Sequence, residues 1–228
     1  MALTLSINQP AYLPWLGYFD RIVRSDLFVF LDPVQFERNS FINRNRIKTP
    51  SGPLWLTVPV LLSGHLSKTI NDIEIDDRQP WRRKHLRSIE QNYRSAPEFE
   101  VKFARLATCY PPQTRSLAQL CFAQLKFWLN EFEVTTPVVR ASEISVRGRK
   151  SDLVLDLCHH FGASIYLSGP LGREYLQEDD FAAAGIELRY HSYIPAPYPQ
   201  LYGDFLPALG VVDYWMNCVE FDAFRTRI

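Results

Sequence analysis

The sequence predicts an α/β protein with a Rossmann-like parallel sheet and a helical insertion. Three observations predict it. Short apolar runs at 3–7 (LTLSI), 27–32 (LFVFLD), 134–140, 164–167 and 186–191 alternate with helical patterns. Such alternation marks strands joined by helical crossovers, with helices on both faces of the sheet. The loop after the first run, NQPAYLPWLGYFDRI, is dense in amides and aromatics. Loops leaving the carboxyl ends of parallel strands are where these sheets keep their ligands. Finally, three successive helical patterns fill residues 80–131, which reads as a cap or insertion on one domain spanning 1–228.

The elements follow in order. After strand 3–7, Pro10 and Pro14 hold the chain extended. Pro14 can open a helix, where its missing N–H would be unpaired anyway. Runs 54–60 (LWLTVPV) and 69–75 (TINDIEI) read as strands, the second alternating imperfectly through Ile70, Ile73 and Ile75. Between them LLSGHLSK is a polar turn region. Helices are expected at 80–94, with Trp81, His85, Ile89 and Tyr93 on one face, at 97–109 and at 114–131. Ser151 is the expected N-cap of helix 151–161, and Gly162 its C-cap. Short helices at 171–177 and 178–184 and a last one near 211–217 complete the chain.

With 228 residues the chain can bury a full core without disulfides or metal. Its 25 basic and 25 acidic side chains cancel, which disfavours nucleic acid as the main partner. Cys109, Cys121, Cys158 and Cys218 form no CxxC pair and sit in apolar surroundings, so buried free thiols in a reducing cytoplasm are expected. The first residues lack signal-peptide character, and no window reaches the roughly 20 apolar residues of a membrane span. The cofactor is unknown, and no intrinsic metal is expected: no HxH, HExxH or histidine–carboxylate spacing occurs. His159 and His160 end a helix, while His65 and His191 lie in a loop or at a strand end.

The candidate site gathers three constellations. Asn8, Gln9, Tyr12, Trp15, Tyr18 and Asp20 surround a helix start in which Gly17 lets a ligand approach free N–H groups. The segment QFERNSFINRNRIK adds the amides Gln35, Asn43 and Asn45. Strand alternation would set Asn43 and Asn45 on one face and the cations Arg44, Arg46 and Lys48 on the other, a pattern suited to pyrophosphate. In YLSGPLGREYL a strand ends at Ser168 and Gly169, and Gly172 opens a helix, a turn able to cradle an anion. No Walker loop or G-x-S-x-G elbow is present.

Taken with SDLVLDLCHHFGASIYLSGPLGREYL, GIELRYHSY, Pro197, Tyr198, Gln200 and the Gly-Asp-Phe-Leu-Pro run with Asp213, these motifs resemble the WbqC-like family along nearly the whole chain. That resemblance implies a protein of O-antigen and related surface-polysaccharide gene clusters, with a suggested role in glycyl transfer to an amino sugar. Relatives usually carry His where this chain has Asn8, an amide that does not titrate. The helix start is also similar to the P-x-H-x-G-H loop of nucleotidylyltransferases, with Trp15 and Tyr18 in the two histidine places. The expectation is therefore a transferase that attaches an aminoacyl or acyl group to a nucleotide-linked amino sugar. Asn8, Gln9, Tyr12 and Tyr18 would orient the acceptor, and Arg44, Arg46 and Lys48 would hold its pyrophosphate. Asp20 or Asp32 would serve as base, with His85 as substitute. Nucleotidyl transfer or ATP-dependent ligation on the same fold, and a non-catalytic module of a polysaccharide assembly complex, are the alternatives.

Overall fold

The computed structural model describes residues 2–64, 67–221 and 224, so His65 of the polar turn lies outside them. Five parallel strands form the sheet: β1 (Thr4–Asn8), β2 (Leu27–Phe30), β5 (Val138–Arg140), β6 (Ile165–Ser168) and β7 (Glu187–Tyr190), in the order β5-β2-β1-β6-β7. Helix α1 (Leu16–Val23) carries the chain from β1 to β2. Helices α5 (Ser151–Phe161) and α6 (Glu178–Ala183) lead into β6 and β7. This is the Rossmann-like α/β arrangement expected from the alternating runs.

Strand alternation decides which residues meet which layer. On β2, Phe28 and Phe30 join the larger core with Phe19 and Ile22 of α1, while Val29 points the other way. There it joins Leu5 and Ile7 of β1, Leu157 of α5 and Phe181 of α6. A sheet buried on both faces explains why these strands read as nearly continuous apolar runs.

The run at 54–60 does not enter this sheet. It supplies β4 (Gly52–Thr57), which pairs antiparallel with β3 (Arg44–Thr49) in a separate hairpin. The expected strand at 69–75 is instead a short 3-10 turn, Ile70–Asp72, flanked by single bridges at Thr69, Glu74 and Ile75. The reason is local: the Asp72 carboxylate accepts from the Thr69 N–H at 3.2 Å and its hydroxyl at 2.6 Å, a capping box that bends the chain. Ile70, Ile73 and Ile75 are buried all the same. Helices α2 (Trp81–Tyr93), α3 (Phe99–Ala107) and α4 (Leu117–Glu131) pack into the larger core, α4 capped by the Ser116 hydroxyl. Helix α7 (Val211–Asn217) joins them, and its residues are all buried.

Several helix boundaries differ from expectation: α3 and α4 start at Phe99 and Leu117 rather than at 97 and 114. Helix α1 starts at Leu16 rather than Pro14, because Trp15 is still extended. Ser151 lies one residue inside α5, where its hydroxyl accepts from the Gln177 N–H at 2.9 Å instead of capping its own helix. The segment at 171–177 is a 3-10 turn, Pro170–Glu174. Gly162 does end α5 in the left-handed conformation, with φ of 64°.

Candidate active site

The order β5-β2-β1-β6-β7 reverses direction between β1 and β6. The chain leaves β1 toward β2, but leaves β6 toward β7. Crossovers therefore diverge and open a crevice at the carboxyl ends of these two strands, the usual ligand position in open α/β sheets. A cavity of about 620 Å³ occupies it, within the range of small-molecule sites. Asn8 and Gln9 enter from the end of β1, Trp15 and Gly17 from the start of α1, and Ser168, Gly169 and Gly172 from the end of β6. Seven of the residues expected from sequence are thus brought together.

Two glycines make room for this. A Cβ at Gly172 would lie 2.0 Å from the Ser168 Oγ, and one at Gly169 would lie 2.5 Å from the Arg21 Nη1. Without a side chain at Gly172 the turn after β6 closes on Ser168 and Leu176, and without one at Gly169 the Arg21 guanidinium of α1 can lie against the turn.

Asp20 reaches the cavity through a partner. Its Oδ2 lies 2.5 Å from Nε2 of His191, which lines the cavity, and accepts from Arg24 Nε at 2.8 Å. Burial would raise the Asp20 carboxyl, but the hydrogen bonds from His191 and Arg24 outweigh it and hold it below its ordinary value. An ionised Asp20 fixes the imidazole tautomer with the proton on Nε2. The lone pair on Nδ1 has no protein partner among the described residues. His191 sits just past β7, and its backbone N–H donates to the Ser168 carbonyl at 2.8 Å. The two strand ends are thereby held together.

The other expected residues are spent elsewhere. Tyr18 is buried and donates to the Gln9 carbonyl at 3.1 Å, so it shapes the loop rather than the cavity. Tyr12, His85 and Tyr110 form a buried chain with both contacts to the Tyr12 hydroxyl at 2.8 Å. Burial lowers His85 to about 4, opposed by a backbone contact at Thr57, and the ring does not line the cavity. Asp32 is fully buried and clasps the end of β5. It accepts from Arg140 Nη2 at 2.6 Å and from the Ser142 hydroxyl at 2.7 Å. Gln35 forms a bridge to Thr69.

The cationic strand is also not a cavity wall. Alternation does separate Asn45 from Arg44 and Arg46, but Lys48 is buried as well. Asn43 donates to the Val58 carbonyl at 2.9 Å and Asn45 to the Leu13 carbonyl at 2.6 Å. Arg44 lies over the Trp55 ring at 4.4 Å and donates to the Asn39 carbonyl. Arg46 donates to the Ala208 carbonyl at 3.2 Å, and Lys48 to Gln200 Oε1 at 3.1 Å and the Asp204 carbonyl. Oxygens of loop 200–208 thus accept from Arg46 and Lys48, two of the three cations that the sequence pattern assigned to pyrophosphate. Arg46 and Lys48 therefore hold a loop whose Phe205 and Ala208 line the cavity.

With this geometry in hand, comparison with known proteins decides the family. The model of the WbqC-like protein family matches residues 9–223. The chain belongs to the WbqC-like family. It is also 33% identical over 215 residues to a protein of Mycobacterium tuberculosis (strain ATCC 25618 / H37Rv) called Uncharacterized protein Rv1507c, covering 93% of each chain. No solved structure matches. The family match runs from Gln9 at the end of β1 past α7, so it takes in both sides of the crevice. Among the described residues no helix is long and apolar enough to cross a membrane.

Sequence reasoning passed over two residues of this site, His191 and Arg21. The signal for His191 was available: it follows the run 186–191, at the carboxyl end of a parallel strand. Arg21 lies one helical turn after Gly17, on the same face of α1.

Proposed function

We propose that this protein is a transferase of surface-polysaccharide or related small-molecule biosynthesis, attaching an aminoacyl or acyl group to a nucleotide-linked amino sugar. The observation that carries the reading is the Asp20–His191 pair at the wall of the crevice. An acyl transfer to an amine needs a base that removes one proton as nitrogen attacks the activated carbonyl. His191 Nδ1 would take that proton, and Asp20 would stabilise the imidazolium that forms. The new bond is N–C; the bond to the donor's leaving group breaks, and His191 returns its proton to that group. Asn8 and Gln9 would orient the acceptor, and the crevice would hold both reactants in reacting geometry. The Asn8 amide does not titrate, so in this reading it positions the substrate while His191 handles the proton.

The test is turnover of uridine-diphosphate amino sugars with acyl-coenzyme A or activated glycine, followed by mass spectrometry. His191→Gln and Asp20→Asn should each lower kcat by about 10²–10⁴, the usual contribution of a positioned base. Variants that fold and keep wild-type turnover would refute the assignment.

A further inference from the structure

Among the described residues, Arg21 is the one cavity-lining cation that the proposed chemistry leaves without a task. It is 6% exposed, yet it makes no ion pair and no side-chain hydrogen bond among the described residues. A buried charge without a counter-charge is costly, and proteins keep one where something else supplies the partner. Its charged neighbours do not. Asp20, the preceding residue, is engaged by His191 and Arg24, and Glu37 and Glu174 line the same cavity without pairing with it. The titratable side chains that act electrostatically on the guanidinium are Tyr166, Tyr18 and Tyr175, neutral phenols at physiological pH. Burial pulls the guanidinium below its ordinary value, but an arginine stays charged in a protein.

A second feature converges on the same spot. The backbone N–H groups of Leu16 and Gly17 belong to the first turn of α1, where no intrahelical acceptor exists, and among the described residues they take no other backbone partner. Both residues line the cavity. Gly17 and Arg21 lie one turn apart on one helix face. On the opposite wall, only the missing Cβ of Gly169 allows the guanidinium to lie where it does. The result is a forked cation and the positive start of a helix bordering one space.

We propose that Arg21, with the first turn of α1, binds a phosphoryl group of the substrate, fixing the substrate class of this cavity as a phosphate or pyrophosphate ester. The donors are spread over a guanidinium fork and a helix start, which suits the several oxygens of a phosphoryl group better than the two of a carboxylate. This inference rests on the reading of the crevice as the substrate site. It moves the phosphate contact from the Arg44–Lys48 strand to α1.

The probe is inorganic pyrophosphate, followed by thermal unfolding of the full chain, wild type beside Arg21→Met. Methionine keeps the length of the side chain and removes the charge. In buffer free of multivalent anions the variant should melt at or above the wild-type temperature, because an unpaired buried charge is gone. Pyrophosphate should raise the melting temperature of the wild type by several degrees and that of Arg21→Met by much less. Malonate, a carboxylate control, should protect the wild type less than pyrophosphate does. Equal protection of both proteins by pyrophosphate, protection of neither, or stronger protection by malonate would overturn the site. A folded Arg21→Gln serves as the second variant should Arg21→Met not fold, and the same outcomes apply to it. The binding shift does not depend on turnover. Its failure would leave the Asp20–His191 reading standing, and loss of that reading would leave the shift intact.

Discussion

Acid should unfold this protein in part through His85, a residue buried against Tyr12 and Tyr110. The folded protein keeps the ring neutral down to about pH 4, whereas the unfolded chain protonates it near 6.5. Between those values the unfolded state binds more protons, so stability falls as pH falls through that window. A gap of roughly 2.5 pH units, at about 1.36 kcal/mol each, caps the loss at about 3 kcal/mol. Going from pH 7 to pH 4.5 should bring out about 2 kcal/mol of it. The assay is urea unfolding at both pH values, for wild type and for His85→Gln, whose amide can still meet the Tyr12 hydroxyl but does not titrate. The variant will be less stable at pH 7, since the Tyr12–His85 contact is disturbed. The informative quantity is the further loss on acidification, which should be about 2 kcal/mol larger for wild type. An equal loss in both proteins would refute the argument, by showing that His85 is as easily protonated folded as unfolded.

Two further outcomes follow from buried carboxylates. Asp213 is fully buried, its Oδ2 has no hydrogen-bond partner among the described residues, and burial pushes it up to about 7 against the opposing charge of Lys48. The folded state therefore holds this proton longer than the unfolded chain, and stability is lost as pH rises from about 4 through about 7. Wild type should lose about 2–3 kcal/mol at this residue between pH 5 and pH 8, and Asp213→Asn should not, as urea midpoints will show. Asp32→Ala should cost about 3–5 kcal/mol and lower Tm in calorimetry, because it leaves Arg140 without its buried partner; a change within about 0.5 kcal/mol would mean that the clasp at the end of β5 is not structural.

The parallel sheet and most of the helices were legible in the sequence because their causes are local. LTLSI and LFVFLD are apolar on both sides, which suits only a strand covered on both faces. Gly162 needs a positive φ, and only its own lack of a Cβ decides that. The place of the loop after β1 beside a crevice was legible for a similar reason, since open α/β sheets open their crevices at the carboxyl ends of parallel strands. Thr69 and Asp72 were a local signal too, and the imperfect spacing of the three isoleucines hid it.

What tertiary structure alone decided is which charges remain free. In sequence, Arg44, Arg46 and Lys48 look like the phosphate contact and Arg21 looks like an ordinary helix residue. In the fold, the carbonyls of loop 200–208 come to the hairpin from more than 150 positions away and accept from Arg46 Nη2 and Lys48, although the buried Arg46 Nε finds no partner among the described residues. Among the described residues no side chain comes to the Arg21 guanidinium as an ion-pair or hydrogen-bond partner, and the bare Cα of Gly169 leaves room for it. The pairing of Asp20 with His191 spans 171 positions and is equally invisible along the chain. Periodicity and caps depend on neighbours a few residues away, and one sequence carries them. Whether a buried charge has a partner depends on which distant segments the fold brings beside it, and that is a property of the packed molecule.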